Sequence, residues 1–369
     1  MPPRRPQRAG AFPKAVESPA QKNHARSRLY AALDLGTNSC RMLIAQPRGN
    51  QLQVVDSFSK SVQLGQGLES TGKLSRAAMQ RTIAALHVCK QKLVRHGVKH
   101  MRLVATEACR RASNGRSFIA QVKRETGLQL DIISPEEEAR LAVISCAPLV
   151  SPKAEQVLVV DIGGGSTELV WLDLTDVPER ERSRAIMRLH AGFRPTGTDK
   201  PVAKVVDWIS VPLGVATLRE QFQDVEDDAA RFALMSWYFE EHLAAFAPST
   251  QQQPQEGFQI IGTSGTVTTV AASHLGLKRY DRTKVDGLQM TSSQIDSVIR
   301  DYLTLGPEGR RTDPRIGRDR HALIMSGAAI LQTMLRLWPT ERLSVADRGL
   351  REGLLYAQMS ADGLMLEPK

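Results

Sequence analysis

The chain has 369 residues, of which 41% are hydrophobic and 24% charged, and its net charge is +10. This composition is typical of a globular protein of about two domains and excludes a collagen-like or wholly disordered chain. No run of about 18 apolar residues occurs, so the sequence predicts no transmembrane helix and no membrane partner. The four cysteines lie far apart without a Cys-x-x-Cys pair, which argues against a disulfide framework or a zinc site and favours a cytoplasmic location.

Much of the positive charge is concentrated at the N-terminus. Residues 1–28 contain seven basic side chains and one acidic side chain, Glu17, and therefore account for +6 of the net charge of +10. The segment is rich in Pro, Arg, Ala and Gln and lacks the apolar core of a secretory signal. We predict that it is a disordered basic tail, whose charge would also suit a polyanion.

The first half of the chain is predicted to alternate strands and helices. Apolar runs separated by turns at Gly36 and Gly49 indicate a three-stranded meander over residues 29–59. Apolar residues at spacings of three, four and seven then indicate a helix that Ser75 caps and Gly97 ends. The remaining predicted elements of this half are a strand at 101–105, a helix at 117–126, a strand at 130–133 and a helix that starts at Ser134.

The second half begins with a repeat of the opening pattern. Aligning AALDLGTNSCRMLIA with LVVDIGGGSTELVWL superposes Asp34 on Asp161 and Gly36 on Gly163. We interpret this as an internal duplication, which would place two equivalent turns on opposite sides of a cleft. The elements predicted after it are an irregular insertion at 176–207, a helix at 227–246, a loop at 248–256, a strand that ends at about Thr263 and enters a helix, a mainly helical stretch, a strand at 343–346 and a terminal helix from about Leu350.

Three glycine-rich turns are candidate phosphate-binding sites, because glycine lets successive backbone N–H groups converge on an anion. The third turn also opens a predicted helix, whose N-terminus attracts anions. A tight hairpin, a β-bulge and a capped helix start are the alternatives for the three turns taken singly. The candidate residues are Asp34, Gly36, Thr37, Asn38 and Ser39 in the first turn, Gly163, Gly164, Gly165 and Ser166 in the second, and Thr263, Ser264 and Gly265 in the third.

The acidic run Glu136–Glu138 is the candidate for acid–base chemistry. Ser134 fits the N-cap of a helix and Glu137 fits its N3 position, so a capping box accounts for part of the run. Glu138 points about 100° further around the helix and is free to face a cleft. Arg110, which follows a predicted strand, is a candidate phosphate ligand because a guanidinium presents paired N–H donors to a phosphoryl group. A solvated surface arginine is the alternative.

Eight segments of the chain together resemble the exopolyphosphatase/guanosine-pentaphosphate phosphohydrolase (Ppx/GppA) family, in order and over about residues 29–357. The segments are ALDLGTNSCRMLIA, LGQGLESTGKLS, ATEACRRASN, IISPEEEARLA, VVDIGGGSTELV, VPLGVATLRE, IGTSGTVTTVA and LREGLLY. The resemblance implies a duplicated actin-like ATPase (ribonuclease H-like) fold, an α/β fold with two domains around a cleft. We accordingly expect one domain over residues 29–137 plus about 351–369, and the other over 138–350.

The resemblance also implies roles for individual residues. Glu138 corresponds to the proposed general base of the family, and Arg110 to an arginine expected to contact the scissile phosphate. The turns at Asp34 and Asp161 correspond to phosphate-binding hairpins. Asp161 and Glu168 are the implied ligands of a Mg²⁺ cofactor.

The implied activity is release of terminal orthophosphate from inorganic polyphosphate, by Mg²⁺-assisted in-line attack of a water that Glu138 deprotonates. Hydrolysis of pppGpp to ppGpp is the alternative within the family, and polyphosphate is favoured because the sequence shows no base-recognition pocket. A phosphotransferase related to sugar or acetate kinases and a non-catalytic nucleotide or polyphosphate sensor are further alternatives. The resemblance implies a homodimer, and no sequence-specific nucleic-acid partner is expected.

Overall fold

A computed structural model describes residues 28–49, 51–193, 200–246, 257–317 and 320–364. Residues 1–27 of the predicted basic tail, the predicted loop at 248–256 and residues 194–199 of the predicted insertion lie outside the described residues. Within the described ranges, no helix combines the length and the hydrophobicity needed to cross a bilayer.

The described residues form two β-sheets with helices around them. The strands are β1 (Tyr30–Leu35), β2 (Ser39–Arg48), β3 (Gln51–Ser61), β4 (His100–Ala105), β5 (Asp131–Ile132), β6 (Gln156–Ile162), β7 (Thr167–Asp173), β8 (Lys204–Val211), β9 (Phe258–Thr263), β10 (Gln289–Met290) and β11 (Leu343–Ala346). The helices of the first half are α1 (Leu68–Thr71), α2 (Arg76–Arg95), α3 (Glu107–Arg111), α4 (Gly115–Thr126) and α5 (Pro135–Cys146). Those of the second half are α6 (Arg182–Met187), α7 (Val215–Gln221), α8 (Asp228–Glu241), α9 (Gly265–His274), α10 (Arg282–Val285), α11 (Ser292–Thr312), α12 (Ile324–Leu337) and α13 (Leu350–Ala361).

The two sheets repeat one topology, which confirms the predicted duplication. The first sheet has the order β3-β2-β1-β4-β5 and the second has the order β10-β11-β9-β6-β7-β8. In each sheet the central strand pairs antiparallel with the next strand and parallel with a later one. The aligned aspartates occupy equivalent registers, because Asp34 lies opposite Arg41 and Asp161 lies opposite Glu168. The mixed α/β fold class is therefore confirmed.

The central strands are buried, whereas the edge strand β3 is largely exposed. Strands that are covered on both faces have nearly continuous apolar sequences. For this reason β1 and β6 could be predicted as strands from the sequence. Helix α2 also follows its sequence signals, since the Ser75 hydroxyl accepts a hydrogen bond from the Ala78 N–H and Gly97 adopts a φ of 62° just beyond the helix.

Helices α5 and α13 lie between the two sheets. Leu141 of α5 packs with Tyr30 and Leu354 on the side of the first sheet, whereas Val143 packs with Val159 on the side of the second. The two helices approach closely, because a Cβ added at Gly353 would lie 2.1 Å from the Leu141 carbonyl oxygen. One helix thus contributes to both cores, and the domain boundary between residues 137 and 138 stays a prediction.

The prediction of an irregular segment at 176–207 was wrong for most of the residues described there. After a 3₁₀ turn at Glu179–Glu181, α6 spans Arg182–Met187, and β8 begins at Lys204. The charge of the segment suggested solvent exposure, but the Arg182 side chain is buried and donates to the carbonyl oxygens of Pro152 and Val177 at 2.7 and 3.2 Å. Charge counting along a sequence does not reveal such backbone acceptors.

The turns of the two duplicated hairpins contact each other. A Cβ added at Gly164 would lie 3.1 Å from the Asn38 amide nitrogen, and one at Gly165 would lie 2.3 Å from the Thr37 hydroxyl oxygen. Gly214 packs against the second turn, because a Cβ added at Gly214 would lie 2.5 Å from the Gly163 carbonyl oxygen. From the sequence, these glycines were predicted to make room for a phosphate. The structure shows that close contacts within the protein already leave no space for a side chain at these positions.

We predict that Gly165→Ala lowers the free energy of unfolding by about 1–3 kcal/mol, the usual cost of overpacking a tight contact. The added methyl group would collide with Thr37 across the hairpin contact. Urea denaturation of the variant and the parent protein measures the difference. Gly36→Ala is the control, because its Cβ would have no neighbour nearer than 3.6 Å. Equal losses for the two variants would contradict the importance of the contact.

Candidate active site

A cleft of about 400 Å³ lies where the two hairpin turns meet. The turns follow β1 and β6, and the third glycine turn follows β9, so all three lie at carboxyl ends of strands that pair parallel with a neighbour. In open α/β sheets this edge is the usual place for a ligand. The two hairpins have the same internal geometry, since Gly36 N–H donates to Ser39 O and Gly163 N–H donates to Ser166 O, both at 2.9 Å.

The structure brings nearly all of the sequence-predicted residues to this cleft. Arg110 and Glu168 are the two that do not line its surface. The residues that do line it are Asp34, Gly36, Thr37, Asn38, Ser39, Glu138, Asp161, Gly163, Gly164, Gly165, Ser166, Thr263, Ser264 and Gly265.

Arg110 contacts carboxylates beside the cleft. Its Nε and Nη2 donate to Glu107 Oε2 at 3.0 and 2.6 Å, and its Nη1 and Nη2 both donate to Glu138 Oε2 at 3.1 Å. Nη1 also donates to the Ile133 carbonyl oxygen at 2.8 Å. These contacts occupy all five N–H donors of the guanidinium. A contact between Arg110 and a phosphate stays a prediction, and it would require the side chain to leave one of these partners.

The start of α5 follows its sequence signals in part. The Ser134 hydroxyl accepts from the Glu137 N–H at 3.1 Å, as expected of an N-cap. The predicted capping box is incomplete, because the Glu137 carboxylate accepts from Arg102 Nη2 at 3.3 Å rather than from the N-cap backbone. Glu138 is on the adjoining face of the helix, where it reaches Arg110 and the cleft. Its side chain therefore faces the cleft, and its role as a general base stays a prediction.

Four buried carboxyl groups lie at or beside the cleft, close enough for their negative charges to interact. Burial and the nearby Asp34 raise the pKa of Asp161 to about 6. Burial and Asp161 raise the pKa of Glu168 to about 8, although Ser166 and Ser210 donate hydrogen bonds to it. Burial and Glu168 raise the pKa of Glu138 well above its ordinary value, and Arg110 acts in the opposite direction. Burial also raises the pKa of Asp34.

Sequence reasoning missed the basic residues of the cleft. Arg41 had a readable signal, because it occupies the position in the first hairpin that Glu168 occupies in the second. Lys60 lies on β3, which pairs with the first hairpin, whereas the remaining basic residues come from distant segments that only folding brings to the hairpins. The basic residues that line the cleft are Arg41, Lys60, Arg320, Arg348 and Arg351.

Two buried hydroxyl groups at the cleft have no hydrogen-bond partner among the described residues. They belong to Thr37 of the first turn and Ser264 of the third. Ser264 also adopts a φ of 102°, a strained conformation for a residue with a side chain. The Thr263 hydroxyl, by contrast, is already bonded to the Arg348 carbonyl oxygen. Because an unpaired buried hydroxyl is costly, Thr37 and Ser264 are suited to a ligand that accepts hydrogen bonds.

Two halves of equivalent topology meet at a cleft, and each contributes an aspartate-bearing turn. This arrangement defines a duplicated α/β protein whose cleft suits phosphoryl groups. Comparison with known proteins narrows this class. A model of the Ppx/GppA phosphatase family matches residues 43–362. The chain belongs to this family.

Relatives and solved structures are similar over most of this chain. A guanosine-5'-triphosphate,3'-diphosphate pyrophosphatase of Aeromonas salmonicida is 30% identical over 337 residues, which cover 89% of this chain and 59% of that protein. The chain thus spans about three fifths of the length of this relative. The structure of the Ppx/GppA family member of Aquifex aeolicus is 30% identical, covers 91% of this chain and 98% of its own, and has a TM-score of 0.70. An exopolyphosphatase of Cytophaga hutchinsonii shares the fold, with 21% identity, a TM-score of 0.75 and coverage of 92% of this chain and all of its own.

The cleft residues fit a Mg²⁺ ion that is shared with a phosphate. Within the described ranges, no group of three or more His, Cys, Asp or Glu side chains is arranged to hold a metal ion. Mg²⁺ does not need such a group, because it is usually bound by one or two carboxylates together with waters and substrate phosphates. Asp161 and Glu168 lie opposite each other on β6 and β7 and supply two carboxyl groups. Burial is the main cause of the raised pKa of both groups, and a neighbouring carboxylate adds to it. A bound cation would favour their charged forms.

We predict that Asp161→Asn stabilises the protein at high pH in the absence of divalent cations. An unfolded aspartate has a pKa of about 3.9, whereas that of folded Asp161 is about 6. The folded state binds more protons between these values, so stability falls as pH rises through this window and stays lower above it. The variant should therefore match the parent near pH 4 and exceed it at pH 8 by on the order of 2 kcal/mol.

Chemical denaturation at the two pH values measures this difference. Asp131→Asn is the control, because Asp131 is paired with Arg102 at 2.7 Å outside the cleft and should give no gain. If Asp161→Asn is less stable than the parent at pH 8, the charged Asp161 carboxylate does not destabilise the folded state, and the prediction is wrong.

Proposed function

We propose that this chain is a phosphohydrolase that releases terminal orthophosphate from inorganic polyphosphate, with Glu138 as the general base. The observation that supports this most directly is that Glu138 lines the same cleft as the two hairpin turns. It lies close enough to Asp34 and Glu168 to interact with them electrostatically. Family membership supports phosphate-ester or phosphoanhydride hydrolysis as the reaction class.

A raised pKa suits Glu138 for proton transfer from water. A carboxylate with an ordinary pKa is a weak base near neutral pH, and a pKa closer to the working pH strengthens it. Burial and Glu168 act in this direction. The Arg110 guanidinium limits the increase, since its paired bonds to Glu138 favour the charged carboxylate. Arg110 thus helps to hold the base ionised and oriented in the absence of substrate.

Backbone N–H groups of the hairpin turns and the hydroxyls of Thr37 and Ser264 would bind the terminal phosphoryl group. These donors are fixed by the fold before the substrate arrives, and fixed donors are effective against charge that develops in a transition state. A bound Mg²⁺, held by Asp161 and Glu168, would neutralise phosphoryl oxygens. With the phosphoryl group fixed, Glu138 would orient a water for in-line attack and accept its proton.

Hydrolysis of pppGpp is the second candidate function. It is favoured by the name of the Aeromonas salmonicida relative, a guanosine-5'-triphosphate,3'-diphosphate pyrophosphatase at 30% identity. Both substrates end in a phosphoanhydride-linked phosphoryl group, so the same cleft chemistry would act on either. A phosphate-release assay with long polyphosphate, short polyphosphate and pppGpp side by side separates the two candidates. The homodimer and the cytoplasmic location stay predictions. Light scattering would test the first, and cell fractionation would test the second.

We predict that Glu138→Gln lowers turnover by about 10²–10⁴-fold, the usual contribution of general-base catalysis. The amide oxygen of glutamine can still accept from Arg110, so the local geometry and substrate binding should be nearly retained. Steady-state phosphate release measures turnover. Calorimetric titration of the protein with substrate, with EDTA present to prevent hydrolysis, measures affinity.

Glu137→Gln is the matched control for this variant. It removes one carboxylate from the next position of the same helix, but Glu137 contacts Arg102 and does not line the cleft. Turnover of this control should stay within about threefold of the parent, as expected for a charge held by a partly exposed pair. Near-normal turnover of Glu138→Gln would remove Glu138 from the mechanism.

A further inference from the structure

The charged residues just before and within the first turn of α13 are mostly bound to protein partners. The Arg348 guanidinium donates to both carboxylate oxygens of Asp286, through Nε at 3.2 and 3.1 Å and through Nη2 at 2.9 Å. The Asp347 carboxylate accepts from the Tyr280 hydroxyl at 2.7 Å, and its backbone N–H donates to Asp286 at 3.1 Å. These two residues are therefore held by the α10 region.

Glu352 is bound in the same way. Its Oε2 accepts from the Gly349 N–H at 3.1 Å, and its Oε1 accepts from Arg282 Nη2 at 3.3 Å. Both of its oxygens thus have partners, and the side chain is buried. The partners of Asp347, Arg348 and Glu352 together fix the backbone that carries Arg351.

Arg351 differs from its neighbours. It lines the cleft and is only partly exposed, yet its guanidinium forms no hydrogen bond or ion pair with any residue in the described part of the chain. Burial lowers the pKa of Arg351, and the like charge of Arg41 acts in the same direction. Asp34 and Glu352 raise it, but neither forms an ion pair with it.

An unpaired cation in a partly buried site costs free energy, because water that would solvate it has been removed. The neighbouring ion pairs show that acidic partners are available to this segment, yet none contacts Arg351. A guanidinium presents paired donors that match the oxygens of a phosphoryl group. The arrangement suits a site in which the anion is supplied by a ligand.

We propose that Arg351 is an anion-binding residue of the cleft, which contacts phosphoryl oxygens of a phosphate-chain ligand. The proposal rests on the proposed function, since it assumes that a phosphate chain enters the cleft. Arg351, in the first turn of α13, would then bind the phosphate chain together with the donors of the hairpin turns. Arg351 would then contribute to affinity more than to the chemical step.

Thermal unfolding with and without pyrophosphate, in the presence of EDTA to prevent turnover, tests the proposal. The parent protein should be stabilised, since a ligand that binds only the folded state raises the melting temperature. Arg351→Gln should bind pyrophosphate about tenfold or more weakly, the scale of a lost charged hydrogen bond. Without ligand, this variant should melt at the same or a higher temperature, because an unpaired charge has been removed.

Lys60→Gln is the matched control, because Lys60 also lines the cleft but is exposed, so its charge is screened by solvent. Its effect on pyrophosphate affinity should be less than about threefold. Arg351→Lys keeps the charge but not the paired donors, and it should bind with intermediate affinity. This variant also serves if Arg351→Gln is too unstable to measure.

Unchanged pyrophosphate affinity of Arg351→Gln, or of Arg351→Lys where that variant is used, overturns the proposal. A parent protein that pyrophosphate does not stabilise also overturns it. The proposed function is tested separately by phosphate release with Mg²⁺. Hydrolysis by the parent together with unchanged affinity of the Arg351 variants would reject only the role of Arg351, whereas absence of hydrolysis of every substrate would reject the proposed function.

Discussion

The contact between the two hairpin turns determines where the charged groups of the cleft lie. Gly164 and Gly165 of one turn pack directly on Thr37 and Asn38 of the other, at distances that leave no room for a side chain. This contact brings Asp34 and Asp161 to one place from opposite halves of a duplicated chain. Once the turns are fixed, the strands that follow them place Arg41 and Glu168 at equivalent positions but with opposite charge.

That difference in charge gives the two halves different chemistry. The second hairpin contributes two carboxylates, Asp161 and Glu168, and is suited to a cation. The first contributes Asp34 and an arginine, and is better suited to an anion. The two hairpins thus differ in charge at one equivalent register position, in addition to the different side chains of their turns.

The sequence allowed prediction of what depends on local pattern. The repeated Asp-x-Gly turns, the capped start of α5 and the direction of Glu138 toward the cleft depend on a few neighbouring residues, and the structure shows all three. The partners of Arg110 were not predictable, because Glu107, Glu138 and the Ile133 carbonyl converge on it only after folding. Arg320 and Arg351 were missed for the same reason, since they follow the hairpins by more than 150 residues.

The buried carboxyl groups of the cleft and the unpaired Arg351 have a common cause. The fold places charges of both signs in a small cleft but pairs few of them across it: Arg110 contacts Glu138, while Asp161 and Arg351 have no ion-pair partner among the described residues. Complete pairing inside the protein would stabilise the folded state and leave fewer groups for a ligand. Because a metal–phosphate complex carries both signs of charge, it can satisfy the carboxylates and the arginine together. A ligand of this kind that binds only the folded state would offset the free energy that the unpaired charges cost.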